Sequence, residues 1–264
     1  MPKLVARAVE KTWGREDIPA HFDVRGGQIG EIWFEGGEAL PLLVKYLFTS
    51  EPLSIQVHPD DRQAHAFGLT GGKEEAWYIL DCAPDARLGL GLLEPMSPQA
   101  FRAAAIDGSL EHRIDWKPVR PGDCYFVPAG TVHAIGGGIT LVEVQQNVDV
   151  TYRLFDYGRP RELHLDQGIA ASRLEPYVRS PVHVPLGQAQ VLLDGTDSPF
   201  SMELGHWTAG QVLPTTQGPV WFVPLAGKGR VNGASWRPGD VWLLDPADEV
   251  LADRDAAGLL ARTA

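Results

Sequence analysis

Apolar positions along this chain fall mostly into short runs with a period near two, broken by Gly, Pro, Asn and Asp. Ile29–Phe34, Leu42–Phe48 (LLVKYLF), Lys73–Asp81, Trp116–Val127, Thr140–Gln145 and Asp149–Leu154 read as strands, because β-branched and aromatic residues alternate or cluster there between turn signals such as Gly26-Gly27 and Gly36-Gly37. The first forty residues read as short extended pieces, with Trp13 and Trp33 as core aromatics. One segment has helical spacing instead. In Met96–Leu110, Ser97 stands as N-cap, Pro98 takes the first helical position, and Phe101, Ala104 and Ala105 share a face. The polar stretch from Pro59 to Gly72 reads as a loop with a turn of helix begun by its acidic residues. From Pro181 onward short β runs and turns resume, and GDVWLL at Gly239–Leu244 echoes GDCYFV at Gly122–Val127.

Composition narrows the class. A chain of 264 residues, 44% of them hydrophobic, has enough apolar surface for one large core or two smaller ones. The formal charge of −11 argues against a nucleic-acid or anionic-membrane partner. Cys82 and Cys124 lack CxxC spacing and sit in apolar contexts, the pattern of packed thiols in a reducing compartment. The opening MPKLVARAVEKTWG carries no apolar core of a signal peptide, and no run approaches the ~20 apolar residues of a membrane span. The expected location is the cytoplasm, as a monomer or homodimer.

Candidate chemistry gathers in two segments. In LSIQVHPD, Gln56 and His58 alternate on a β-branched run, so a strand there sends both side chains to one face. A carboxylate follows at Glu74 or Glu75, and His133 closes the second segment, GDCYFVPAGTVHAIGGG. Gln, His, Glu and His form an N/O donor set suited to zinc or a similar divalent ion. Asp60, Asp61 and His65 are ligand types too, but their place after a proline suits capping or solvation. Lys45, alone in an apolar run, either sits at an edge with its head in water or turns into a cavity to meet an anion. Arg153 reads from spacing alone as an ion-pair partner on a half-buried strand.

The spacing G-x5-P-x-G-x2-H at Gly122–His133 resembles the second motif of the cupin superfamily. PLLVKYLFTSEPLSIQVHPD, GKEEAWYIL, VPAGTVHAIG and VEVQQNVDVTYRLFDYGR, in that order, resemble type I mannose-6-phosphate isomerase in its short bacterial form, over roughly Lys11 to Arg161. The resemblance implies a mainly β fold: a cupin double-stranded β-helix (jelly-roll) barrel over residues 1–165 with a covering helix near 97–110, and a second, degenerate cupin unit over 166–264. One or two short helices are expected. After Asp245-Pro246 no histidine stands where His133 does, so the second unit should hold no metal.

The resemblance also assigns roles. Gln56, His58, Glu75 and His133 would hold one divalent ion, zinc by preference, with Glu75 rather than Glu74 at the ligand position. Lys73, Arg153 and Glu143 would be catalytic, Arg153 facing the substrate and Glu143 shuttling protons. Lys45 and Ser54 would bind a small phosphorylated sugar. The implied reaction interconverts mannose 6-phosphate and fructose 6-phosphate through an enediol. Lys73, Glu143 and a metal-bound water all stay open as the base. The competing readings are another metal-dependent cupin enzyme and a sugar-binding cupin without turnover; an intact Gln/His/Glu/His set speaks against the latter.

Overall fold

Residues 3–24, 26–36, 39–213 and 218–264 are described by the computed structural model; Gly37, one half of an expected turn, lies outside them. The first unit is built from β1 (Val5–Arg15), β2 (Ile29–Glu35), β3 (Leu42–Phe48), β4 (Ile55–Val57), β5 (Glu75–Cys82), β6 (Arg87–Leu92), β7 (Ile114–Pro118), β8 (Asp123–Val127), β9 (His133–Ile135), β10 (Ile139–Gln146), β11 (Tyr152–Phe155) and β12 (Val182–His183). Its helices are α1 (Asp61–Ala66), α2 (Pro98–Asp107) and α3 (Leu165–Ala171). A seven-stranded sheet in the order β1-β2-β3-β10-β5-β8-β12 meets a five-stranded sheet in the order β11-β4-β9-β6-β7, the jelly-roll arrangement.

Strand alternation gives the large sheet two different faces. Leu47, Trp77, Ile79, Tyr125, Val127 and Leu141 point inward and pack with Leu88, Leu90 and Ile135 of the smaller sheet. Val44, Tyr46, Phe48, Ala76, Tyr78 and Val142 point outward, yet they are buried, because the second unit lies against them. That unit contains β13 (Gln190–Leu193), β14 (Phe200–Trp207), β15 (Val220–Ala226), β16 (Gly229–Val231), β17 (Ala234–Trp236), β18 (Trp242–Leu244), β19 (Val250–Ala252) and β20 (Ala256–Thr263). Its sheets run β13-β14-β20-β15-β18 and β17-β16-β19. Phe200, Met202, Leu204, Trp221, Val223 and Leu259 meet the outer face of the first unit. A buried side chain of this size stabilises by roughly 1.5–3 kcal/mol relative to exposure, so a two-sided burial of the central sheet is a major source of stability.

The echo at Gly239 is structural. In Arg120-Pro121-Gly122-Asp123 and in Arg237-Pro238-Gly239-Asp240, the arginine N–H donates to the aspartate Oδ2, at 3.1 and 3.0 Å, and both glycines have positive φ, 91° and 86°. Local turn chemistry is thus repeated while the metal-type histidine is not.

The helices differ from expectation in number. Ser97 caps α2 as expected, its Oγ accepting from Ala100 N, and Phe101, Ala104 and Ala105 bury against the outside of the small sheet with Ile55, Val57 and Tyr152. Asp60 caps α1 in a full capping box with Gln63. The additional helix, α3, also packs on that outer face, through Ala171. The stretch around the expected 165/166 division still serves the first unit: Val182 of β12 pairs with Cys124 of β8.

Candidate metal centre and active site

Two backbone clamps bring the motifs together. Lys73 N donates to the Pro59 carbonyl (3.0 Å) and Gly72 N to Asp61 Oδ1 (2.7 Å), which presses the start of β5 against the turn after β4. A Cβ on Gly72 would lie 2.5 Å from the Asp60 carbonyl carbon, so only glycine admits this approach. Gly130 N donates to the His58 carbonyl at 2.8 Å, fixing the Pro-Ala-Gly turn of the second motif to the strand of the first. On the sheet, Gln56 pairs directly with His133, which puts both side chains on the inner face.

The result is a buried cluster. The ligand atoms of His58, Glu75 and His133 lie within 4.8 Å of one another. Each imidazole spends its Nδ1 on a backbone carbonyl, His58 on Val150 and His133 on Thr131, both at 2.8 Å. With Nδ1 donating, Nε2 carries the lone pair, and both Nε2 atoms point at the Glu75 carboxylate, at 3.5 and 3.3 Å. Burial, helped by the Lys73 charge, pushes the His58 pKa down to about 3, and burial lowers His133 as well, so both rings are neutral at pH 7. The polar groups closest to the Glu75 oxygens are the two Nε2 atoms and the Lys73 ammonium, 2.9 Å from Oε2. Burial would raise the pKa of Glu75, but Lys73 and the two histidines outweigh it and keep the carboxylate ionised. Two neutral imidazoles and an ionised carboxylate, shut away from water, fit a divalent cation.

The surrounding residues complete the picture. Gln56 sets its amide Nε2 3.3 Å from His133 Nε2, and Ser54 Oγ donates to Gln56 Oε1 at 3.2 Å. Lys73 Nζ stands 2.9 Å from Glu75 Oε2 and 3.1 Å from His58 Nε2. Burial pushes the Lys73 pKa down, but Glu75 and Glu143 push harder, and the ammonium is held above its ordinary value by the protein groups. Glu74, next along, is half-buried on the opposite face, where burial raises its pKa. Lys45 is not an edge lysine: β3 is interior to the sheet, and Nζ is buried between Glu143 Oε1 (3.1 Å) and Gln145 Oε1 (2.5 Å), over the Trp33 ring at 4.5 Å. Trp33 is therefore no plain core aromatic; its Nε1 also donates to Glu31.

Arg153 pairs in register with Gln56 and so shares its inner face. Its Nη1 donates to the Glu162 carbonyl at 2.8 Å, its Nε is buried without a partner, and among the described residues it forms no ion pair, unlike Arg159 and Arg161, which are both bound to buried Asp156. The His164 ring accepts the Arg153 backbone N–H through Nδ1. Sequence reasoning passed over Gln145 and Glu31, though each lies two residues from a cavity-facing neighbour, Glu143 and Trp33, and alternation could have found both.

Two facing sheets with donors converging inside one barrel define a cupin with a candidate metal centre. Comparison with known proteins narrows this. The profile described as phosphomannose isomerase type I, catalytic domain, matches residues 3–84. The chain is 43% identical over 223 residues to mannose-6-phosphate isomerase ManA of Bacillus subtilis, covering 79% of this chain and 70% of that protein. The chain belongs to the type I mannose-6-phosphate isomerases. Its fold matches the crystal structure of the mannose 6-phosphate isomerase from Bacillus subtilis with a TM-score of 0.82, at 24% identity and covering 98% of both chains. A zinc-bound mannose 6-phosphate isomerase structure superposes at a TM-score of 0.73 with 15% identity, covering 99% of this chain and 98% of that one. Among the described residues no helix is long and apolar enough to cross a membrane.

Proposed function

We propose that the barrel interior interconverts mannose 6-phosphate and fructose 6-phosphate, with one divalent ion held by Gln56, His58, Glu75 and His133. The observation that carries this reading is the convergence of both histidine Nε2 atoms on the buried Glu75 carboxylate. The N/O donor set favours zinc. Gln56 would contribute its amide oxygen after a half-turn of the amide. When bound, the ion supplies Lewis-acid polarisation of the sugar's carbonyl and hydroxyl oxygens.

The chain's own groups do the rest. Lys73 removes the proton from C2 and returns it to C1. Its ammonium is stabilised by Glu75, so once that carboxylate's charge is engaged elsewhere, burial favours the neutral amine a base needs. Glu143, fixed by two donors, moves the hydroxyl proton between O2 and O1. Arg153, on the same face as Gln56 and with its buried Nε unpartnered, stabilises negative charge on the enediolate or holds the phosphate. Lys45 and Ser54 line the same interior as substrate contacts. Free Cys82 and Cys124 accord with a cytoplasmic enzyme. A coupled assay for fructose 6-phosphate formed from mannose 6-phosphate should give turnover that a chelator abolishes and added divalent ion restores; absence of turnover in ion-replete protein would overturn the assignment.

A further inference from the structure

One buried group inside the barrel has no part in the reaction so far. Trp77 has no solvent exposure, yet it is not merely packed. Across the large sheet, Trp33, Lys45, Glu143, Trp77 and Tyr125 stand in one register row, each paired with the next on β2, β3, β10, β5 and β8. Cross-strand partners project on the same face, so this row lies at one level of the barrel wall. At its centre the Glu143 carboxylate is held from both sides. Lys45 Nζ donates to Oε1 at 3.1 Å, and Trp77 Nε1 donates to Oε2 at 3.0 Å. The same indole meets the His133 ring edge-on, with centroids 5.5 Å apart and planes at 67°. A single rigid ring therefore touches both the carboxylate read as a proton shuttle and an imidazole read as a metal ligand.

We infer that Trp77 is a positioning residue, whose indole N–H fixes the direction of the Glu143 carboxylate so that its free lone pairs face the reacting oxygens. A lysine on its long stem cannot set that direction alone, because its ammonium is a rotatable point donor shared here with Gln145. The indole N–H has one direction, set by a ring locked in the core. Proton transfer demands a donor and acceptor within hydrogen-bond reach and in line, so a carboxylate left free to rotate transfers the proton less often without losing affinity for substrate. The inference rests on the role of Glu143 proposed above.

Benzothienylalanine at position 77, with sulfur in place of N–H, keeps the bicyclic ring against His133 and removes the donor; Trp77→Phe removes the donor together with one ring, and its unfolding midpoint reports the cost of the cavity separately. The expected result is a fall in kcat of about 10- to 100-fold, as for loss of a hydrogen bond to a charged group, with KM and metal content as in the parent. In a Glu143→Gln background the same change should add little, since the group it positions is gone. Loss of metal in step with activity, an unchanged kcat, or a fully multiplicative effect in the double variant would overturn the inference. A near-normal Glu143→Gln enzyme would instead remove the proposed role of Glu143 and this inference with it, a failure told apart because it shows in the single variant.

Discussion

The backbone N–H of Gly130 donates to the carbonyl of His58 at 2.8 Å, so the turn ending the second motif is fastened to the strand ending that carries the first. Gly130 has φ of 83°, and a Cβ there would come within 3.1 Å of both the Ala171 carbonyl oxygen and Arg173 Cγ. Gly130→Ala should therefore cost about 1–2 kcal/mol of stability through strain and a shifted turn. It should also weaken metal retention by moving His58 relative to His133. Thermal unfolding and metal content measured together check this; a variant with parent-like values of both would show that the clamp does not set the site.

Lys73 has a different signature. Its ammonium stands beside Glu75 and His58, so removing it takes away a positive charge that competes with any cation bound there. Lys73→Met should keep its metal, or hold it more tightly, while kcat falls by about 10²- to 10⁴-fold, the range of general acid–base contributions. A variant that loses its ion instead would make Lys73 a structural support of the ligand set.

Acid stability probes the wall of the barrel. Burial would raise the pKa of Glu31, but Lys45 and Lys11 outweigh it and hold it below the ordinary carboxylate value, with Lys11 Nζ at 3.2 Å and Trp33 Nε1 donating at 2.8 Å. A depressed folded-state pKa contributes stability that is fully present above the unfolded value, about 4.3, and is lost as pH falls through the folded one. The stability difference between parent and Glu31→Gln should thus be largest near neutrality and shrink below about pH 4. Chemical denaturation across that range checks it; a difference that does not change with pH would mean that Glu31 is not stabilised as an anion.

Much of this was legible in the chain. Leu42–Phe48 forms its strand with the expected ends, because seven residues of strong β character lie between turns. The interior position of Lys73, Glu75 and Trp77 follows from a period of two once β5 is placed, and Asp60 and Ser97 cap the helices that their types and positions announce. Other features depend on distant contacts. β1 is a long edge strand with most of its first residues exposed, so its pattern shows little apolar alternation and reads as fragments. α3 follows His164, an N-cap residue that makes no side-chain cap, and carries Gly168 within it, which leaves no helix signal; it forms because it packs on the outside of the small sheet. The fate of Lys45 was open because only the neighbouring strands supply Glu143, Gln145 and Trp33.

The most direct test of the account compares Glu75→Gln with Glu74→Gln, each assayed by elemental analysis for divalent ion per chain alongside the parent. The parent should carry one ion. Glu75 is buried among the imidazoles while Glu74 lies on the other face of the strand, so Glu75→Gln should remove the anionic ligand and empty the site, and Glu74→Gln should retain its ion. Active parent protein with an ion content near zero, or an ion lost from Glu74→Gln and kept by Glu75→Gln, would contradict the proposed centre.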